Sequence, residues 1–219
     1  MSARPHVTLA YAQSLDGSIA ARPGEPLTLS GPESLRLTHQ LRAQHDAILV
    51  GIGTVLADDP RLNVRLVEGP DPQPVILDSH LRFPLDARLL GNFRKPWIVS
   101  AKPPIPQASE NRVKVLESTG ITVFEMPTDA RGRVELSAML KALSGRGIQS
   151  LMVEGGAQVI TAFLNAGLVD ELVLTLAPVF VGGLRAVEPL LSSDSFPRLN
   201  SVSIEPCGAD WIIRGIFPP

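Results

Sequence analysis

The segment Ala47-Ile48-Leu49-Val50-Gly51-Ile52-Gly53-Thr54-Val55-Leu56-Ala57-Asp58-Asp59-Pro60-Arg61-Leu62-Asn63-Val64-Arg65 runs from unbroken apolar residues through two glycines into a cluster of charge. Ala47 to Val50 is too short for a helix, is rich in branched side chains and follows the polar pair His45-Asp46. That pattern predicts a strand buried on both faces. Gly51 and Gly53 permit a tight turn and a close approach to a bulky group such as a pyrophosphate. Thr54 can cap the turn that follows or donate from its hydroxyl. Asp58, Asp59, Arg61 and Arg65 then fall in one short segment whose Asp59-Pro60 step breaks a helix, which predicts a loop at the rim of a sheet. The order describes a buried strand delivering polar groups to a ligand. The plainer alternative is a strand, a short helix and a solvated loop with ordinary surface charge.

Outward from this segment, strand patterns alternate with helical ones. Val7 to Ser14, Pro74 to Asp78, Pro96 to Ser100, Thr122 to Glu125, Leu151 to Glu154 and Glu171 to Val181 read as strands from β-branched content and bounding turn residues. Pro32 to Gln44, Gln107 to Ser118, Glu135 to Leu143 and Ala157 to Ala166 carry helical spacing. Alternation of this kind predicts an α/β fold of three layers, a mostly parallel central sheet with helices on both faces. Two strand-like runs, Glu171 to Val181 and Val202 to Phe217, have no helix of any length between them, so an antiparallel C-terminal hairpin is expected at one sheet edge. Pro103, Pro104 and Pro106 read as a loop within the domain. At 219 residues the chain can bury one large core, and a single domain is the expectation.

A second strand ends in glycines at Leu151-Met152-Val153-Glu154-Gly155-Gly156-Ala157. It opens the helix from Ala157, whose free N-terminal amides favour a phosphate. Two such strand ends lie at the carboxyl edge of one parallel sheet, where α/β proteins place ligands. Neither is a fingerprint alone, because Gly51-Ile52-Gly53 lacks the third glycine of the dinucleotide motif and no phosphate-loop lysine follows either turn. Glu154 carries more information. An unpaired carboxylate at a strand end is costly, so it should meet a ligand donor or a basic side chain, or else local backbone amides.

Composition bounds the function class. Hydrophobic content of 44% and charged content of 19% describe a globular protein with a substantial interior. A net charge of −2 lacks the basic excess that nucleic acid or anionic membranes require, so a small-molecule ligand is expected. The start, Met1 to His6, has no signal-peptide core and no run approaches a membrane span, which predicts a cytoplasmic protein. Cys207 is the only cysteine and allows no internal disulfide. His6, His39, His45 and His80 show no ligand spacing, so no metal is expected. No Gly-x-Ser-x-Gly elbow supports acyl transfer.

A set of ordered motifs runs through nearly the whole chain: Leu15-Asp16-Gly17, Leu41-Arg42-Ala43, Ala47 to Gly51, Thr54 to Pro60, Leu62 to Arg65, Leu77-Asp78-Ser79 and Val153-Glu154-Gly155-Gly156. Together they resemble the reductase domain of bacterial riboflavin biosynthesis proteins. The resemblance implies a dihydrofolate-reductase-like fold, NADPH as hydride donor, and reduction of the ribosyl group of an aminopyrimidine ribose 5′-phosphate to a ribityl group. Deaminase and reductase are often fused in that family. This chain carries no His-x-Glu or Pro-Cys-x-x-Cys zinc signature, and a single reductase domain over 1–219 without a deaminase is expected.

The resemblance also implies residue roles. Ala12, Thr54, Asp58 and Ser79 would line the cofactor site with Gly156, Ala157, Gln158, Val159, Ile160 and the turn that continues to Ala162. Arg42, Leu62, Arg65 and Glu154 would contact substrate, which suits the pairing of guanidinium groups with a phosphate and of a carboxylate with pyrimidine amino groups. For Arg42 a helix-surface arginine is the plainer alternative, and Asp16-Gly17 reads equally as a tight turn. Hydride transfer needs geometry more than a strong acid or base, and Asp58 is the candidate catalytic residue, organising a proton path. Many relatives carry a substrate-touching serine and a cofactor-packing tryptophan where this chain has Pro26 and Thr28. Long C-terminal strands rich in Leu, Val and Ile leave an edge to protect, and with the family resemblance they favour a homodimer.

Overall fold

The structure, a computed structural model, describes residues 4–102, 107–190 and 196–218. The expected loop at Pro103 to Pro106 and the first three residues lie outside these.

In chain order the elements are β1 (His6–Ser14), β2 (Ser18–Ala20), α1 (Pro32–Gln44), β3 (Ala47–Gly51), α2 (Ile52–Asp58), β4 (Gln73–Leu77), β5 (Trp97–Ala101), α3 (Gln107–Glu117), β6 (Thr122–Met126), α4 (Leu136–Ser144), β7 (Ser150–Gly155), α5 (Ala157–Asn165), β8 (Glu171–Ala177), β9 (Leu184–Arg185), β10 (Asn200–Cys207) and β11 (Asp210–Ile216). The main sheet has nine strands in the order β10-β11-β8-β1-β7-β3-β4-β5-β6. Every pairing from β8 to β6 is parallel, and β11 runs antiparallel to both β8 and β10. A short pair, β2 with β9, closes over the chain's first turn.

The alternation of side chains along β3 and β7 sorts the core. Ala47, Leu49, Leu151 and Val153 face α4 and α5, where Met139, Leu140, Leu143, Ile160 and Phe163 are buried. Ile48, Val50 and Met152 face the other way and pack with Leu41 of α1, Val55 of α2 and Leu116 of α3. A strand with residues of both clusters and no exposed position must lie between two helical layers, as expected for β3. Strand patterning therefore yields the three-layer α/β architecture.

Three local expectations need correction. The run from Val202 to Phe217 is two strands, not one, because Gly208 at φ +63° and Ala209 form a two-residue turn that pairs Cys207 with Asp210. The hairpin is thus β10 with β11, and the run from Glu171 stops at Ala177 and accepts β11 as its antiparallel neighbour. Residues 52–58 form the short helix of the plainer alternative, with Gly51 as its N-cap and Asp59 closing it in the left-handed region at φ 40°. Thr54 consequently lies inside α2 and makes no cap.

Candidate active site

The carboxyl ends of β1, β3, β4 and β7 open on a cavity of about 1150 Å³. That exceeds the roughly 300–1,000 Å³ of an ordinary small-molecule pocket, so a single small ligand does not fill it. Ala12, Thr54, Asp58, Ser79 and the start of α5 from Gly156 to Ile160 line it, as do Arg42, Leu62 and Glu154.

The two glycine turns meet inside this cavity, but each glycine serves a different need. Gly51 sits at an ordinary φ of −79°; a side-chain carbon there would stand 2.8 Å from Val159 Cγ2, so its role is close packing of β3 against α5. Gly53 has open space around it, a gap on the cavity wall that a β-carbon would occupy without touching protein. Gly155 and Gly156 do require the left-handed half of backbone space, at φ +130° and +90°. A β-carbon on Gly156 would approach Thr54 Oγ1 to 3.0 Å, which measures how near the second turn comes to α2. The Val159 and Ile160 amides donate back to the Gly156 carbonyl, and the amides of Ala157 and Gln158 precede the first intrahelical bond. Open glycine backbone on one side and a helix start on the other fit an anionic dinucleotide backbone.

Glu154 owes its place to an irregularity invisible in the sequence. Leu49 pairs with Val153, yet Val50 pairs with Gly155, so Glu154 is the extra residue of a β-bulge. Bulges re-aim side chains, and here Glu154 meets Arg42 of α1. Arg42 Nη2 donates to Glu154 Oε1 at 2.6 Å, with the two side chains only 10% and 16% exposed. Arg42 Nη1 donates to the Asn63 carbonyl at 3.1 Å, while its buried Nε has no partner among the described residues. The carboxylate expected to find a basic side chain has found one, and Arg42 is not a helix-surface arginine.

Leu62 is buried and held at φ 52°, an uncommon conformation for a branched residue. Arg65 does not line the cavity; it is exposed, yet near enough to Arg42 and Glu154 of the cavity wall to feel their charge. Partial burial and the positive neighbours Arg42 and Arg61 push its guanidinium pKa down, with Glu154 opposing. Asp58 closes α2 at the cavity wall, where desolvation raises its carboxyl above the usual range. Burial pushes the Tyr11 phenol up to about 12.

Several lining residues were not singled out in the sequence. Tyr11, His80, Arg82, Arg131 and Arg133 all border the cavity. Arg82, Arg131 and Arg133 sit in the loops after β4 and β6, and a carboxyl-edge rule applied to every strand would have found them. Around Pro26 and Thr28, which do not line the cavity, Pro23, Gly24, Glu25, Leu27 and Ser30 do. Asp16 accepts from Ser14 Oγ, Ser18 Oγ and the amides of Val181 and Gly182, and these bonds hold its carboxyl far below the usual range. It pins the first turn to the 181–183 loop.

The model of the RibD C-terminal domain matches residues 5–213. The chain belongs to this family. It is 40% identical to the 2,5-diamino-6-ribosylamino-4(3H)-pyrimidinone 5′-phosphate reductase of Archaeoglobus fulgidus over 98% of this chain and 99% of that protein. Among solved structures it resembles Acinetobacter baumannii RibD at a TM-score of 0.84 and 28% identity, covering 100% of this chain and 59% of that one. The riboflavin biosynthesis reductase Rib7 of Saccharomyces cerevisiae superposes at 0.76 with 30% identity, over 100% and 92% of the two chains. Dihydrofolate reductase of Enterococcus faecalis, at a TM-score of 0.58 and 11% identity over 98% of this chain and 97% of that one, shares the fold.

Proposed function

We propose that residues 1–219 act as a single reductase domain that uses NADPH to reduce the ribosyl group of an aminopyrimidine ribose 5′-phosphate to a ribityl group, an oxidoreductase step of riboflavin biosynthesis. The observation that carries this reading is the meeting of the two strand ends in one cavity, with a glycine-lined helix start on one side and the Arg42–Glu154 pair on the other. Relatives matched over 99% and 82% of their length are named for the diaminopyrimidinone form of that phosphate, so this form is the first substrate to try.

The reduced nicotinamide, when bound, supplies a hydride. The chain's residues supply place and charge. Gly156 to Ile160, with Thr54 and Ser79, hold the dinucleotide, and Ala12 on β1 leaves room beneath its reactive end. Glu154 accepts from the pyrimidine amino groups, Leu62 packs on the ring, and Arg42 and Arg65 provide guanidinium charge for the sugar phosphate. A hydride reaching the sugar carbon must be matched by one proton on the adjacent heteroatom. Asp58, whose raised pKa keeps it nearer to neutral pH than an ordinary aspartate, organises that proton path.

Exposed apolar residues on the β10–β11 hairpin, among them Val202, Ile204 and Trp211, support a homodimer that covers this face. No helix among the described residues is long and apolar enough to cross a membrane, and the protein is proposed to work in the cytoplasm.

Fluorescence titration with NADPH, then loss of reduced-nicotinamide absorbance with the deaminated and the non-deaminated phosphate in turn, tests the reading. Binding without turnover of either phosphate would leave only a nucleotide-binding protein. Unchanged turnover of Asp58→Asn at saturating cofactor and substrate would remove Asp58 from the mechanism.

A further inference from the structure

We propose that His39 is a positioning residue that holds Arg65 for the substrate phosphate. The inference rests on the proposed function, in which Arg65 binds that phosphate.

One face of α1 sets the arrangement. Segment 61–69 carries Leu62 and Arg65 but has no strand neighbour to fix it, and three α1 side chains spaced by one turn take its backbone instead. Arg36 Nη1 donates to the Leu66 carbonyl at 3.1 Å, His39 Nδ1 accepts the Arg65 amide at 3.1 Å, and Arg42 Nη1 donates to the Asn63 carbonyl at 3.1 Å. Further along the same face, Gly69 lies so close that a β-carbon on it would stand 2.6 Å from Ala43 Cβ. From below, Asp71 Oδ1 accepts the Val64 amide at 2.7 Å. The segment is laid along α1 as along a template.

His39 is the centre of that template and its least replaceable part. It is fully buried. Accepting an amide at Nδ1 requires a neutral ring with its proton on Nε2, and that Nε2 has no partner among the described residues. A buried donor without a partner costs stability, so an apolar side chain would serve packing better. What the imidazole adds is the acceptor under Arg65. The ring is kept neutral by burial and by Arg42 and Arg65 on either side, which push its pKa down to about 4. An uncharged acceptor is the only kind that can seat a guanidinium-bearing residue here without competing for its charge. A carboxylate in the same place would draw Arg65 away from the phosphate.

The test compares His39→Leu, which keeps apolar bulk and removes the acceptor, with His39→Asn, whose side-chain oxygen stands close to where Nδ1 was. Steady-state kinetics use saturating NADPH with the phosphorylated diaminopyrimidinone riboside and with its dephosphorylated form. His39→Leu is expected to raise KM for the phosphorylated form by roughly 3- to 10-fold, the worth of one neutral hydrogen bond. Its kcat, its KM for NADPH and its KM for the dephosphorylated form should stay within about twofold. His39→Asn should recover most of the loss, and the double variant His39→Leu/Arg65→Ala should be no worse than Arg65→Ala alone. Additive losses in the double variant, or a parallel fall in every parameter, would show a merely structural histidine and overturn the proposal. Should His39→Leu not fold, His39→Gln, which displaces the acceptor by one bond, is expected to show the KM loss that His39→Asn lacks; equal KM values for the two would overturn it. Wild-type enzyme that fails to turn over the phosphate refutes the function and this inference together, whereas an Arg65-sensitive KM that ignores His39 refutes only the inference.

Discussion

Replacing Arg42 with Met tests the site's electrostatic arrangement. The guanidinium and the Glu154 carboxylate are 2.6 Å apart at their closest atoms and nearly closed off from water. With charge centres about 4 Å apart, such a pair is worth about 4 kcal/mol at an effective dielectric constant near 20. Arg42→Met removes that attraction, leaves the Glu154 charge in a mostly buried place and breaks the bond to the Asn63 carbonyl. The expected cost is about 3–5 kcal/mol, the usual result of removing one partner from a buried pair. For a domain near 200 residues this lowers Tm by roughly 6–20 °C. Urea unfolding followed by the fluorescence of Trp97 and Trp211 measures it. The double variant Arg42→Met/Glu154→Gln, which removes both charges, should be more stable than Arg42→Met alone. A single-variant loss below about 1 kcal/mol, or a double variant whose cost is the sum of the two singles, would refute the reasoning.

Three further outcomes are expected. His39 has a folded pKa of about 4 against an unfolded value of 6.5, so its neutral form is favoured by folding; the stability it contributes is fully present above pH 6.5 and is lost as pH falls from there towards 4, by roughly 3 kcal/mol, and His39→Asn should flatten this limb of the stability curve. The carboxylates Asp16, Asp46 and Asp170, all held below their usual pKa, act only at more acid pH; Asp58, whose carboxyl is raised, acts inside the window with the opposite sign, so the difference between wild type and His39→Asn isolates the histidine's part. Gly51→Ala places a methyl group 2.8 Å from Val159 Cγ2 and should cost about 1–3 kcal/mol in denaturant unfolding, with Val159→Ala in the same chain recovering part of it. Asp210, in the C-terminal hairpin, accepts from the Gly31 amide at 2.7 Å and from Ser34 Oγ at the start of α1, so Asp210→Ala should cost about 1–2 kcal/mol, the ordinary worth of a helix cap, measured the same way.

The parallel sheet and most of its helices could be read from the sequence because their signals are local. A run such as Ala47 to Val50 has no polar residue to spare for solvent, and Pro32 to Gln44 begins on a proline and keeps helical spacing to its end. What was hidden depends on distant partners. Nothing near Glu154 announces a bulge, because the bulge is a mismatch of register between β7 and β3. Nothing near Asp210 or His39 says that they serve the Gly31 turn and Arg65, residues far away in the chain. The short helix at 52–58 was legible only as the plainer alternative, because two glycines early in a short window also read as a turn, although one serves close packing and the other leaves open space. The splitting of the last strand was carried by Gly208, a signal present in the sequence and passed over. The candidate site residues come from resemblance, and the contacts among them only from geometry.

The joined strand ends are proposed to hold reduced nicotinamide with its hydride towards the sugar carbon of a phosphorylated aminopyrimidine riboside. Turnover of that substrate with NADPH deuterated at the transferable position of C4, followed by mass and proton spectra of the product, tests this directly. One deuterium is expected, on the sugar carbon bonded to nitrogen. Product without deuterium, or with the label on the pyrimidine ring, would contradict it.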